Sequence, residues 1–401
     1  MKRLIFCIVA IFMLALCTGA VNVDNIDYYE AFKDKNITLN VYNWGEYISN
    51  GEDDSVDVIQ EFENITGIKV NYTNYATNED LFAKLSSGST QYDIVIPSDY
   101  MIAKMIENNM LEKLNFENIP NIKYIAPEYL NASFDPEGQY SVPYTWGTVG
   151  IIYNKKYVTK PVDSWEILWD QDYKGKILMF DNSRDAFGIA QKLLGYSLNT
   201  TDEKELEATK DKLIEQKPLI QNYVMDQIFD KMELEEAYIA PYYAGDCITM
   251  MDKNPNLAFC HPKEGTNIFI DSVCIPKGCK NKQAAEAFIN FLCETDIAVA
   301  NCEYICYSTP HTKALEVLGQ ENSSNPISYP PAEYISKCES FSSLPSQTNK
   351  LMDSYWTTIL TQSDVSSNTS IIILGVIIAL GLIILVTLNA FRKYKKKNNN
   401  Y

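Results

Sequence analysis

The chain has 401 residues, more than one ordinary hydrophobic core accommodates, so two globular lobes with accessory segments are expected, and with them a cleft. Its 34 Lys and Arg stand against 52 Asp and Glu, a formal net charge of −18, which excludes nucleic acid and other polyanions as partners and favours small cations. With 46% apolar residues and 27 Tyr, the bulk of the chain can bury a core, which excludes a disordered polymer.

Lys2 and Arg3 precede an apolar run, 4–16, and then Thr18, Gly19 and Ala20, so 1–20 reads as a secretory signal cleaved near Ala20. Cys17 would be a lipidation site, but Leu16 sits where a small residue is needed, which favours simple cleavage. Residues 37–42 (ITLNVY) alternate like a half-buried strand, and 43–47 form a polar, aromatic loop. Val56, Ile59 and Phe62 recur at helical spacing until Thr66 and Gly67, after which 68–72 is extended again. Residues 80–85 are helical, 92–96 form a short strand ending at Pro97, and Ser98 caps a helix reaching about Leu114. Such alternation predicts an α/β fold built on a parallel sheet.

Residues 142–154 (VPYTWGTVGIIYN) read as an extended crossover between lobes, followed by helices over 164–169 and 186–194. Strands follow at 237–243 and 268–275, the latter (IFIDSVCI) being the return crossover, and then a helix over 282–291. The expected division is lobe 1 from 37–144 and 272–317, and lobe 2 from 145–271 and 318–360. A polar stalk, 361–370, leads to an uncharged apolar run, 371–391, which as a helix spans about 30 Å, enough to cross a bilayer. Arg392, Lys393, Lys395, Lys396 and Lys397 follow at once, so the tail 392–401 is placed in the cytoplasm and the large domain outside.

Of ten cysteines, Cys7 and Cys17 lie in the signal, and the other eight all lie beyond residue 246. An even number in an exported domain permits disulfides, whose connectivity the sequence leaves open. Cys302 and Cys306 have helical i, i+4 spacing without a second pair or a nearby His, so paired or buried thiols are favoured over zinc. No cofactor is called for.

At 43–47 (NWGEY), 92–100 (YDIVIPSDY), 143–147 (PYTWG) and 164–169 (SWEILW) the chain resembles the bacterial periplasmic spermidine/putrescine-binding proteins of the PotD type. Lys174 and Gly175, 193–200 (LLGYSLNT), 262–265 (PKEG), Asp271 and 289–292 (INFL) follow in family order, and the similarity covers roughly 37–360. The resemblance implies a type II periplasmic-binding-protein fold, two discontinuous α/β lobes joined by a hinge, with a polyamine in the cleft and the permease of an ABC transporter as partner.

A polyamine is a flexible methylene chain carrying ammonium groups, so its site needs carboxylates for the charges and aromatic walls for the methylenes. By family match Trp44, Tyr47, Ser98, Tyr100, Tyr243 and Phe269 form the cage, while Asp185 and Asp271 hold the ligand ends. The chain departs from the family where a third carboxylate falls on Asn182, with Asp181 beside it as a substitute, and where Tyr243 and Phe269 stand in place of tryptophans. A glutamine contact near the end falls on Phe341. Each residue also has a plainer reading: the aromatics as core, Ser98 as a helix cap, Asp185 as an acidic residue in a helix's first turn. Asp271 has the least such excuse, because a carboxylate in an otherwise apolar strand needs a cationic partner.

An enzyme is disfavoured: His261 and His311 are the only histidines, and no nucleophile elbow, phosphate loop or metal signature is present. Glu235 and Glu236 are adjacent and point apart on a helical surface, a poor acid pair for glycoside chemistry. The remaining alternatives are a binding protein for another small solute, and a membrane-anchored surface sensor or adhesion protein that retains the binding fold.

Overall fold

The computed structural model describes residues 21–362. Its strands are β1 (Thr38–Trp44), β2 (Lys69–Tyr75), β3 (Ile94–Val95), β4 (Ser141–Asn154), β5 (Ile177–Phe180), β6 (Ile220–Val224), β7 (Ile239–Tyr243), β8 (Leu257–Cys260) and β9 (Ile268–Cys274). They form one sheet in the order β2-β1-β3-β9-β4-β7-β5-β6, with β8 paired to β4.

The first half follows from local signals. The Val58–Thr66 helix starts where the Asp57 side chain accepts the Gln60 N–H and stops at Gly67, whose φ of 71° a side chain would resist. β1 then pairs in parallel with β2 on one side and β3 on the other. The second half repeats the arrangement: β5 pairs in parallel with β6 and β7, and Asn182 caps the Ser183–Leu194 helix, which ends at Gly195.

β4 and β9 join the halves. Residues 141–148 of β4 pair antiparallel with β9, slipping register between Pro143 and Thr145. Beyond that point β4 pairs antiparallel with β7 through Val149↔Tyr243 to Tyr153↔Ile239, and with β8 on the same stretch. β3 and β9 are antiparallel too. The sheet is therefore mixed where alternation alone predicts a parallel one, because the two crossover strands run against the strands they connect.

Several boundaries differ from expectation for identifiable reasons. The helix after Ser98 ends at Glu107 rather than Leu114, since Asn109 adopts a left-handed φ of 54°. Residues 164–169 form a 3-10 turn, Trp165–Trp169, whose Ser164 side chain accepts the Glu166 N–H. The 317/318 lobe division falls inside the Thr312–Ser323 helix, which packs on the Thr295–Ile305 helix, so the chain returns to the second half only after it. Thr361, placed in the stalk by composition, is still the last residue of the Ser346–Thr361 helix. The eight cysteines from Cys247 to Cys338 are all free thiols, with Cys247, Cys274 and Cys293 buried. Among the described residues no helix is long and apolar enough to cross a membrane. The signal 1–20, the remainder of the stalk, the span 371–391 and the tail 392–401 lie outside them.

Candidate ligand-binding cleft

In α/β sheets, ligands gather beyond the carboxyl ends of parallel strands, where helix starts and loops converge. Here Trp44 ends β1, Ser98 follows β3, Asn182 and Asp185 follow β5, Asp226 follows β6, and Tyr243 ends β7. All six line one cavity between the two halves of the sheet, together with Phe269 and Asp271 from β9 and Tyr47 and Tyr100. Its interior is about 60 Å³, room for roughly four to six waters.

Asp271 is 3% exposed. Tyr47 donates its phenol to Asp271 Oδ2 at 2.5 Å and lies 2.6 Å from Thr145 Oγ1, while Asp271 Oδ1 has no protein partner. On the other half, Tyr243 donates to Asp185 Oδ2 at 2.8 Å, and Asn182 donates to the same oxygen while its own Oδ1 accepts the Asp185 N–H at 3.0 Å. The two carboxylates thus each hold a tyrosine at the seam between the halves.

The sequence reading missed further acids. Asp99 is 1% exposed; its Oδ1 accepts the Tyr100 N–H at 2.7 Å and its Oδ2 is unpartnered. Asp246, in the first turn of the Ala244–Lys253 helix, accepts a phenol proton from Tyr307 at 2.9 Å. Glu46 and Asp226 complete a set of six lining carboxylates, with no Lys, Arg or His among the lining residues. Burial pushes Asp99 and Asp246 up to about 8 and Asp271 up to about 6, and raises Asp185 as well. Desolvation disfavours the charged form, neighbouring carboxylates add to the rise at Asp99, Asp246 and Asp271, and a bound cation would oppose it.

The aromatic walls are equally specific. Trp44 donates its indole N–H to the Ile96 carbonyl at 2.9 Å and packs on Tyr75 with centroids 4.5 Å apart. Tyr307 stands edge-on to Tyr47 at 5.0 Å, and Tyr243 edge-on to Phe269 at 5.5 Å. Gly245 has no side chain to clash with the Tyr307 ring lying over it. Ser98 precedes the Asp99–Glu107 helix, but its side chain makes no capping bond; its Oγ accepts from Asn78 Nδ2 at 3.1 Å instead.

One expected contact is absent. Asp181 is exposed and does not line the cavity: its backbone N–H extends the β5 ladder to the Val224 carbonyl at 2.9 Å. Successive residues of an extended chain face opposite ways, so Asn182 reaches the cleft and Asp181 cannot. Tyr307 and Asp246 carried weak sequence signals, a lone tyrosine after a cysteine and an acidic residue at a helix start.

A mixed sheet in two halves, crossed twice by the chain and enclosing a polar cavity at its strand ends, defines the class of two-lobed solute-binding proteins. Residues 57–329 match the family of bacterial extracellular solute-binding proteins, and the chain belongs to it. The chain is 36% identical over 311 residues to the spermidine/putrescine-binding periplasmic protein of Escherichia coli strain K12, covering 77% of this chain and 88% of that one. It is 30% identical over 343 residues to the putrescine-binding periplasmic protein SpuD of Pseudomonas aeruginosa, covering 81% and 92%. A solved structure, a putative spermidine/putrescine ABC transporter from Listeria monocytogenes, matches with a TM-score of 0.77 at 38% identity, over 81% of this chain and 99% of that chain.

Proposed function

We propose that the protein is an extracytoplasmic receptor for linear polyamines of the putrescine and spermidine class, which it clamps between its lobes and delivers to the permease of an ABC transporter. One observation carries the reading: one carboxylate oxygen of Asp271, Oδ1, and one of Asp99, Oδ2, are buried without a hydrogen-bond partner at an aromatic-walled cavity that no basic side chain lines. A buried carboxylate left unpaired costs several kcal/mol. A narrow cavity with several of them, walled by rings, suits a slim polycation and repels anions. Sugars lack the charge, and branched solutes lack the slimness.

In this reading Asp271 and Asp185 receive ammonium groups from opposite sides of the seam, with Trp44, Tyr47, Tyr100, Tyr243 and Phe269 covering the methylenes and Ser98 and Asn182 supplying polar contacts. Lobe 1 comprises 37–144 with 272 to the end of the Thr312–Ser323 helix, and lobe 2 comprises 145–271 with the chain after that helix to 360; β4 and β9 act as the hinge. Because contacts come from both lobes, the ligand favours the closed form, which supplies the differential affinity that a population shift requires. Export by the 1–20 signal and tethering by the 371–391 span would hold the receptor near its transporter, raising the effective concentration. Calorimetry of the 21–362 domain with putrescine, spermidine and spermine at low ionic strength tests the assignment. Saturable binding of at least one is expected, and indifference to all three would refute it.

A further inference from the structure

Arg184 stands next to Asp185 and is 5% exposed. Its guanidinium lies 4.5 Å from the centroid of the Phe341 ring and 5.6 Å from that of Tyr100, two residues that line the cavity. Nη2 donates to Asn199 Oδ1 at 3.0 Å and to the Ser342 carbonyl at 3.1 Å, while Nε has no partner. Among the described residues no carboxylate lies within 4.0 Å of it. A buried guanidinium with only neutral partners is costly, even when ring faces offset part of that cost. Two neutral hydrogen bonds, to Asn199 and the Ser342 carbonyl, and a long contact from Nη1 to Met352 Sδ at 3.9 Å do not require a permanent charge.

The charge acts on the cleft. Arg184 is close enough to lower the carboxyls of both Asp185 and Asp99 against their burial. At the other end Asp246, Asp226 and Glu46 repel one another and have no such balance. Those three residues also line a wider cavity that continues past Asp53, Asp230 and Glu303, in which the one basic lining residue, Lys253, is paired with Asp53 at 3.0 Å. The cavity is therefore asymmetric, balanced by an internal cation at the Asp185 end and acidic and open at the Asp246 end.

Resting on the polyamine reading above, we propose that Arg184 is a specificity-determining residue: a built-in cation that fills one cationic position at the Asp185 end and so limits how many ammonium groups the ligand carries there. It does not touch the ligand; it acts through Asp185 from behind Tyr100 and Phe341. A diamine then satisfies the enclosed part of the cleft, and the additional ammonium of a triamine lies toward the open, acidic end.

The test is the ratio of putrescine to spermidine dissociation constants, measured by calorimetry on the 21–362 domain with thermal unfolding as a folding control. Arg184→Gln and Arg184→Met are expected to shift the ratio toward spermidine by about tenfold or more. Arg184→Lys, which keeps the charge, is expected to stay within about threefold of wild type. Asn182→Asp adds a carboxylate at the same end with Arg184 in place, and is expected to shift the ratio in the same direction. Equal weakening of both ligands by the neutral variants, or a shift by Arg184→Lys as large as that by Arg184→Gln, overturns the proposal. If the neutral variants do not fold, Asn182→Asp decides alone, and an unchanged ratio overturns it. Wild-type protein that binds no polyamine overturns the ligand assignment and this proposal with it, whereas binding with unshifted ratios overturns this proposal only.

Discussion

Tyr47 reaches across 224 residues of sequence to donate a hydrogen bond to Asp271 Oδ2, while the other oxygen of that carboxylate is buried without a hydrogen-bond partner. The contact fixes the rotamer of Asp271 and cannot neutralise it, since a phenol supplies a dipole and not a charge. If Asp271 receives an ammonium group as proposed above, its burial without a counter-charge is a cost that the empty protein bears.

That tension gives opposite signs for two measurements on Asp271→Asn. Polyamine affinity should fall by about 1.5–3 kcal/mol, the range for losing a hydrogen bond to a charged group. The ligand-free protein should become more stable at pH 7, because a carboxyl raised from 3.8 to about 6 disfavours folding in its charged form by roughly 3 kcal/mol. Calorimetry and thermal unfolding on the same sample read both. A variant that binds normally, or that is destabilised when empty, contradicts the role given to Asp271.

Trp44 tests the wall rather than the charge. Its ring faces the cavity at the end of β1 and is steadied by the bond to the Ile96 carbonyl. Removing it in Trp44→Ala should weaken binding by about 0.5–2 kcal/mol, while Trp44→Phe, which loses the indole bond and keeps a ring face, should lose less. Titrations of both variants with putrescine check the order, and equal losses would assign Trp44 to packing.

The resemblance to a known family, more than any local pattern, made these positions legible in the sequence: it singled out Trp44, Ser98, Asp185 and Tyr243, and the structure brings all four to the lining of one cavity. Local pattern alone left them readable as core aromatics, a helix cap and a first-turn acid. Asp271 was legible for a different reason, as a charge inside an apolar strand. The remainder depended on what no local pattern encodes. Asp246 and Tyr307 meet through a contact between elements about 60 residues apart, with Gly245 giving the ring its place. Asp181 looked equivalent to Asn182 in sequence, and only the β5 ladder decides which of two neighbours faces inward. The mixed sheet is not encoded in the alternation of strands and helices, which does not reveal which way a crossover strand runs.

The thiols supply a check on the fold itself. All eight cysteines of the described region are free, three of them buried within the packed interior. Burial pushes the Cys247 and Cys274 thiols up and Cys293 to about 12, which withholds the thiolate that exchange chemistry needs. Thermal unfolding of the 21–362 domain should therefore be unchanged by reductant, and alkylation after denaturation without reductant should label all eight. A reductant-sensitive midpoint, or fewer labelled sites, would mean that the exported protein acquires a disulfide.

The raised carboxyls set a pH dependence whose sign is opposite to that of a surface rich in salt bridges. Asp271 at about 6 and Asp99 and Asp246 at about 8 all exceed their ordinary value of 3.8. These groups make the folded protein hold more protons than the unfolded chain up to about pH 8; His261 and His311, both lowered from 6.5 by desolvation, oppose this below that value, so the stability of the empty receptor should fall most clearly from pH 6.5 to 8 and level off above that. A bound polyamine replaces those protons, so binding should release protons at pH 7 and tighten as pH rises through the same window, until the ammonium groups themselves begin to titrate. Calorimetry in buffers of different ionisation enthalpy counts the released protons directly. Zero release at pH 7, with an empty-state midpoint that rises from pH 6.5 to 8, would show that these carboxylates are already paired and that the cleft is not waiting for a cation.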